Sequence, residues 1–196
     1  MTPTTAIREH QMIYKVGHVE PEPSEFRFQN VYARETRRDV PLLCLGPNGG
    51  HVELLKKLLE RMPEPMWILY VLVVPRGEGE AGRYQSANSF LRNDIGDFLE
   101  RFRNYFESDA RHHIWLKSEQ GPALLVLDSH GLIYCYGPVE SWANDLDELG
   151  WREVEAGTIL LPNPHQHHYH EIFDDDAKNV LSSMEWIHSP LRDADQ

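Results

Sequence analysis

Cysteine is scarce. Cys44 and Cys135 are the only two in 196 residues and lie far apart. Two such thiols make neither a disulfide framework nor a CxxC metal knuckle, and they read as buried thiols of a reducing compartment. Long apolar runs are also missing. The longest, Met66 to Val74, has nine residues, whereas a membrane-spanning helix needs about 20. The first residues show no basic segment followed by an apolar run, the mark of a secretory leader, so cytoplasmic residence is expected. Basic charge is in short supply: 19 Lys and Arg face 31 Asp and Glu, a formal net of −12. Non-specific nucleic-acid binding by phosphate neutralisation is therefore not expected, nor is docking to an anionic membrane. Walker A, GxSxG and HExxH patterns are absent, as is any internal repeat.

What remains is an ordinary globular composition, 41% hydrophobic and 26% charged. A chain of this length can bury roughly 70% of its unfolded surface without help from disulfides or metal. Residues 1–25 read as an irregular arm, because Glu20-Pro21-Glu22-Pro23 restricts the chain to turns and extended backbone. Residues 26–196 read as a single domain.

Periodicity supplies the elements. Phe26–Tyr32 alternates as a half-exposed strand, and Leu42–Leu45 is a short buried one. Gly46-Pro47-Asn48-Gly49-Gly50 turns the chain into a helix from His51 to Met62, with Leu54, Leu55, Leu58, Leu59 and Met62 on one stripe. Pro63 and Pro65 end it. Met66–Val74 is apolar on both faces and rich in β-branched residues, as a central strand is. Residues 75–89 read as a loop. A helix capped by Asn88 or Ser89 then carries Leu91, Ile95, Phe98, Leu99, Phe102 and Phe106 inward. Strands at 112–118, 122–127 and 132–136, joined by short Gly-ending connectors, make a meander. Gly137-Pro138 opens a helix stopped by Gly150. Strands are expected at 151–155 and 158–161, and a last helix at 174–186. The class is α+β: a mixed, largely antiparallel sheet with 66–74 central and the 112–136 meander, covered by three or four helices.

The densest chemistry is Pro162-Asn163-Pro164-His165-Gln166-His167-His168-Tyr169-His170-Glu171. Imidazole is the commonest metal ligand at neutral pH. On an extended backbone His165 and His167 share one face, and His168 and His170 the other. One face supplies two ligands, so a complete site needs help from Glu171, Asp174, His112 or His113. The spacing of His165, His167 and Glu171 resembles the first metal motif of the cupins over seven residues. Ile159 stands where that motif has glycine, no second motif follows, and the helices argue against a double-stranded β-helix. The likeness is therefore confined to ligand spacing. A divalent Zn, Mn, Ni or Fe ion would suit such ligands.

Other features have plainer readings. Gly77-Glu78-Gly79-Glu80-Ala81-Gly82 matches GxGxxG literally, but two glutamates would repel a pyrophosphate, and it reads as a surface loop. Asp174-Asp175-Asp176 suits a helix start. His130, in a hairpin turn, reads as exposed. His112 should share a face with Ile114, and His113 with Trp115.

Two functions follow as expectations. The charge is lopsided: residues 139–196 hold 13 acidic and 3 basic side chains, against 18 and 16 in the rest. An acidic surface including Asp145, Asp147, Glu148, Asp174 and Asp175, with Arg83 and Tyr84 from the 75–89 segment, would suit a basic protein partner bound without catalysis, as an inhibitor or adaptor binds. The alternative is a metal-dependent enzyme, a hydrolase, with His165, His167, His168 or His170 as ligands, Glu171 as ligand or base, and Arg83 as an anion clamp.

Overall fold

A computed structural model of the chain describes residues 13–19, 22–77 and 79–195. In chain order the strands are β1 (Val16–His18), β2 (Ser24–Glu25), β3 (Val31–Arg37), β4 (Val40–Gly46), β5 (Met66–Leu72), β6 (Gly82–Ser86), β7 (His112–Ser118), β8 (Leu124–Leu127), β9 (Ile133–Tyr136), β10 (Arg152–Val154), β11 (His165–His167) and β12 (Trp186–Ser189). The helices are α1 (His51–Leu59), α2 (Arg92–Arg101), α3 (Arg103–Ser108), α4 (Val139–Glu148) and α5 (Asp174–Ser182).

Nine strands form one sheet in the order β10-β3-β4-β9-β8-β7-β5-β6-β12. Every neighbouring pair in it is antiparallel except β10 with β3. A smaller sheet, β11-β1-β2, stands apart from it. The architecture is α+β, and β5 lies inside the large sheet between β7 and β6, as its two-sided apolar sequence requires.

Strand alternation decides what each face of the large sheet does. Ile68, Tyr70, Ile114, Leu116, Leu125, Leu127, Ile133 and Cys135 point to one side and join buried side chains from all five helices. The Leu stripe of α1 lies in this core: Leu55, Leu58 and Leu59 are at most 1% exposed, each burial stabilising by about 1.5–3 kcal/mol. Trp142 of α4 is fully buried and donates its indole N–H to the Leu58 carbonyl at 2.9 Å. The opposite side, which carries Trp115, Leu124, Val126 and Tyr134, has no α-helix on it among the described residues. Phe28, Cys44 and Leu132 form a second small core there, packed by Phe26, Ile159 and Leu161.

Several local expectations change. The segment 75–89 is not all loop: Gly82–Ser86 is β6, an interior strand whose Arg83 is buried and ion-paired with Asp195. The strand expected at 26–32 starts only at Val31. Residues 158–161 form no strand, and Ile159 and Leu161 pack on the second core instead. The long helix after Ser89 starts at Arg92, where the Asp94 carboxylate accepts the Leu91 N–H (3.3 Å), and it breaks at Phe102 into α2 and α3. Phe98, Phe102 and Phe106 still pack on one another, with ring centroids 5.5–5.8 Å apart. The last helix ends at Ser182, and Trp186–Ser189 turns back as β12 against β6. Within the segment expected as an irregular arm, 16–18 and 24–25 are strands; residues 1–12, 20 and 21 lie outside the described residues. Among the described residues no helix is long and apolar enough to cross a membrane.

Candidate metal centre

The small sheet exists to hold one strand in place. β1 pairs antiparallel with β11, Val16 opposite His167 and His18 opposite His165. Gly17 sits between them because a Cβ there would come within 2.7 Å of the Tyr14 ring and 2.9 Å of the Ser24 carbonyl. Past the strand, the His168 N–H donates to the Lys15 carbonyl and the His168 carbonyl accepts from Ala110 N–H, both at 3.0 Å.

Alternation then divides the four histidines. His168 and His170 face inward. His168 packs edge-on to Tyr14 with centroids 4.4 Å apart. His170 is buried, and its Nε2 donates to the Tyr14 carbonyl at 2.9 Å. Behind it lies a buried ion pair. Asp109 and Arg111 are at most 1% exposed; Asp109 Oδ2 accepts the His170 N–H (2.8 Å), and Arg111 Nη2 donates to the His170 carbonyl (2.8 Å). Arg111 Nη1 also reaches Asp174 at 2.8 Å, so the same guanidinium ties the start of α5 to the histidine segment.

His165 and His167 face the other way and meet a third imidazole, His130. One ring nitrogen from each lies within 4.8 Å of the other two. Ring centroids are 4.5 Å apart for His130–His167 and 5.3 Å for His165–His167. All three side chains are partly buried. His130 belongs to the β8–β9 turn, which Asp128 builds: its Oδ1 accepts the N–H groups of His130 and Leu132, both at 2.9 Å. Gly131 completes the turn at φ +82°, a conformation open to glycine.

The hydrogen bonds fix which nitrogens are free. His165 Nδ1 lies 3.0 Å from the Pro162 carbonyl, which can only accept. His130 Nδ1 lies 3.3 Å from Asp128 Oδ2. Both rings therefore donate from Nδ1, which makes Nε2 the nitrogen each can offer to a metal. His167 Nε2 is buried with no hydrogen-bond partner. Unpartnered buried nitrogens occur also at His51, His112 and His168. What distinguishes His167 is that two further imidazoles, each bonded through Nδ1, stand beside it. Burial, and then the neighbouring His130 and His165, bring the His167 pKa down to about 4, so the ring is neutral at pH 7, as a metal ligand must be. At Asp128 burial works to raise the pKa, but the bonds from His130 and the Leu132 N–H outweigh it and hold the carboxylate ionised.

No family model, curated protein or solved structure matches the chain. Its chemistry is read from its own side chains.

The other expected site residues fall elsewhere. Glu171 is exposed, 3.8 Å from Arg76, and takes no part in the cluster. His112 is fully buried under α3, against Tyr105 at 4.4 Å, and His113 faces the opposite side of the sheet. Of the acidic residues, Asp145 is buried in a two-bond pair with Arg61 (2.6 and 2.8 Å), Asp147 accepts from the Tyr32 hydroxyl (2.7 Å), and Asp174 is held by Arg111. Glu148 and Asp175 are exposed. Arg83 is buried against Asp195, and Tyr84 is half-buried with its hydroxyl on the Glu80 carbonyl. The residue that sequence reasoning missed is His130. Its only signal was a histidine two positions after an aspartate in a Gly-ending turn.

Proposed function

We propose that this chain binds one divalent transition-metal ion through Nε2 of His130, His165 and His167, and that the ion serves a hydrolytic reaction. The observation that carries this is the convergence of three imidazoles, two with their far nitrogens already bonded and the third buried and unpartnered. A carboxylate or carbonyl behind each ligand is the usual outer shell of a histidine metal site. Tetrahedral zinc with nitrogens at about 2.1 Å needs them about 3.4 Å apart, which small χ rotations reach from the present spacing. Three histidines leave a fourth position open, the pattern of catalytic rather than structural zinc. His130 and His167 also line the cleft on the face of the sheet opposite the α-helices, so that position opens to a place where a small molecule fits. A metal held there would supply a bound water of pKa about 7, and so hydroxide at neutral pH. His113, on the same cleft wall and kept neutral chiefly by burial, is available to accept a proton.

The expectation of a basic partner rests on net charge, and three of its five carboxylates are engaged in internal bonds. The metal reading is therefore preferred. The test uses protein made without a histidine tag, stripped with chelator and titrated with Zn²⁺ by calorimetry. About one ion per chain should bind, raise the melting temperature, and be lost in His130→Ala and His165→Ala. Binding below about 0.1 equivalent with no thermal shift overturns the metal site. Stoichiometric zinc with no turnover of a p-nitrophenyl ester at any pH from 6 to 9 overturns the hydrolytic part alone.

A further inference from the structure

The cleft itself has a chemistry. It measures about 750 Å³, within the range of small-molecule sites. Its floor comes from three adjacent strands and is apolar and aromatic: Trp115 of β7, Leu124 and Val126 of β8, Tyr134 and Tyr136 of β9. Its two ends differ. His130 and His167 stand at one, beside Asp128; Arg37 and Arg38 stand at the other, where β3 turns into β4. β4 pairs with β9, Leu45 opposite Ile133 and Leu42 opposite Tyr136. The β8–β9 turn and the β3–β4 turn are thus at opposite ends of one strand pair, about 20 Å apart at about 3.4 Å per residue of β4.

The charges around the cleft can be counted one by one. Arg37 is ion-paired with Glu35 (3.3 Å) and lies over the Tyr134 ring at 4.4 Å. Asp195 is neutralised by Arg83, whose guanidinium lies 5.2 Å from the Trp115 ring centroid. His113 and His167 are neutral. Asp128 faces His130, and Lys15 Nζ touches the Asp128 carbonyl at 3.4 Å from behind. Arg38 is exposed at the turn tip with no partner among the described residues. With a divalent ion on the three histidines, the cleft carries positive charge at both ends on a chain whose net is −12.

We infer that the cleft binds an elongated organic anion. Its aromatic or acyl body lies over Tyr134 and Tyr136, its anionic group meets Arg38, and its far end reaches the histidine cluster. The orientation rests on the metal reading; the binding of an aromatic anion does not. The probe is 1-anilinonaphthalene-8-sulfonate, titrated onto native protein with and without zinc. It should saturate one site with a gain in fluorescence. Arg38→Glu should weaken it about tenfold and leave the uncharged N-phenyl-1-naphthylamine unaffected. Leu124→Trp, which fills the floor, should abolish both; Tyr136→Ala, a milder change, should weaken both if the tryptophan variant fails to fold. Non-saturable binding, or an affinity indifferent to Arg38→Glu in folded protein, overturns the inference. Zinc calorimetry on the same samples separates the two readings. Zinc without probe binding sinks the cleft inference alone; probe binding with the Arg38 dependence but no zinc upholds it and sinks the metal site.

Discussion

Asp128→Asn isolates the outer shell of the proposed metal site. Asp128 does two things with two oxygens. Oδ1 accepts the N–H groups of His130 and Leu132 and so shapes the turn; Oδ2 accepts from His130 Nδ1 and so aims the ring. Asparagine keeps the first role, since its amide oxygen can replace Oδ1. It loses the second, because an NH₂ group cannot accept a proton from imidazole. The ring is then free to rotate and is less basic. Loss of such a partner costs 10–100-fold in metal affinity, about 1.4–2.8 kcal/mol.

That energy should appear in two measurements. By calorimetry the zinc Kd rises by about one to two orders of magnitude. By thermal melting, zinc at a concentration 100-fold above the wild-type Kd stabilises the native protein by about 2.7 kcal/mol, and about 1.3–2.3 kcal/mol of this is lost in the variant. At about 2–4 °C per kcal/mol for a chain of this size, the zinc-induced rise in Tm shrinks by about 3–10 °C. Circular dichroism should show the same fold in both proteins. If Asp128→Asn binds zinc as tightly as the native chain, His130 is not oriented by this carboxylate and the ligand assignment is wrong.

The same packing sets three further outcomes. His168→Ala should retain zinc binding within about threefold, because its ring packs on Tyr14 away from the cluster, whereas loss of a ligand costs far more than an outer-shell change; equal losses in His168→Ala and His165→Ala would refute the division of the two faces. Arg111→Ala strands the buried Asp109 carboxylate and should cost about 3–5 kcal/mol, a fall of roughly 10 °C in Tm; a change under a degree or two would refute it. His51 is held neutral, with burial, and then Lys15, lowering its pKa to about 4. The unfolded chain takes up a proton near pH 6.5 that the folded chain refuses, so this contribution is complete above pH 6.5 and is lost as pH falls toward 4, reaching about 2–3 kcal/mol; urea midpoints between pH 7 and 4.5 should fall less steeply in His51→Gln.

The elements that sequence predicts well are those whose side chains repeat at one period over many residues. The Leu stripe of α1 and the two-sided apolar run of β5 belong to this group, and so do the alternating strands of the meander. The failures share a cause. β6 hides because its alternation is broken by Arg83, a buried cation made tolerable by Asp195, which is 112 positions away. Residues 158–161 have strand-like composition but find apolar neighbours without a pairing partner. β12 is missed because the apolar stripe of the expected helix carries it on to Trp186, while the edge of β6 that captures Trp186–Ser189 is a tertiary fact. Two of the three members of the metal cluster follow from local alternation, which puts His165 and His167 on one face. The third member does not, because a turn residue has no face until another segment is laid against it.

That segment is 165–170, which opens with β11, and its placement explains why only two of its four histidines are left for chemistry. Three chain-distant pieces converge on it: β1 on one side, the Asp109–Arg111 pair behind, and the β8–β9 turn in front. His168 and His170 are used up in this assembly, one against Tyr14 and the other bonded to its carbonyl. Their packing fixes the register of the strand, and the register presents His165 and His167 to His130. A buried nitrogen without a partner costs about 1–3 kcal/mol, and the geometry places this cost at His167, beside two imidazoles whose other nitrogens are already satisfied. An apolar side chain at 167 would remove the cost and leave the packing of β11 on β1 intact. The expected result is a His167→Leu protein as stable as the native chain, or more so, without metal. Zinc should then stabilise the native chain and leave the variant unmoved. A variant that melts well below the native protein in chelator would mean that His167 serves the fold, and a variant still stabilised by zinc would mean that the ion sits elsewhere.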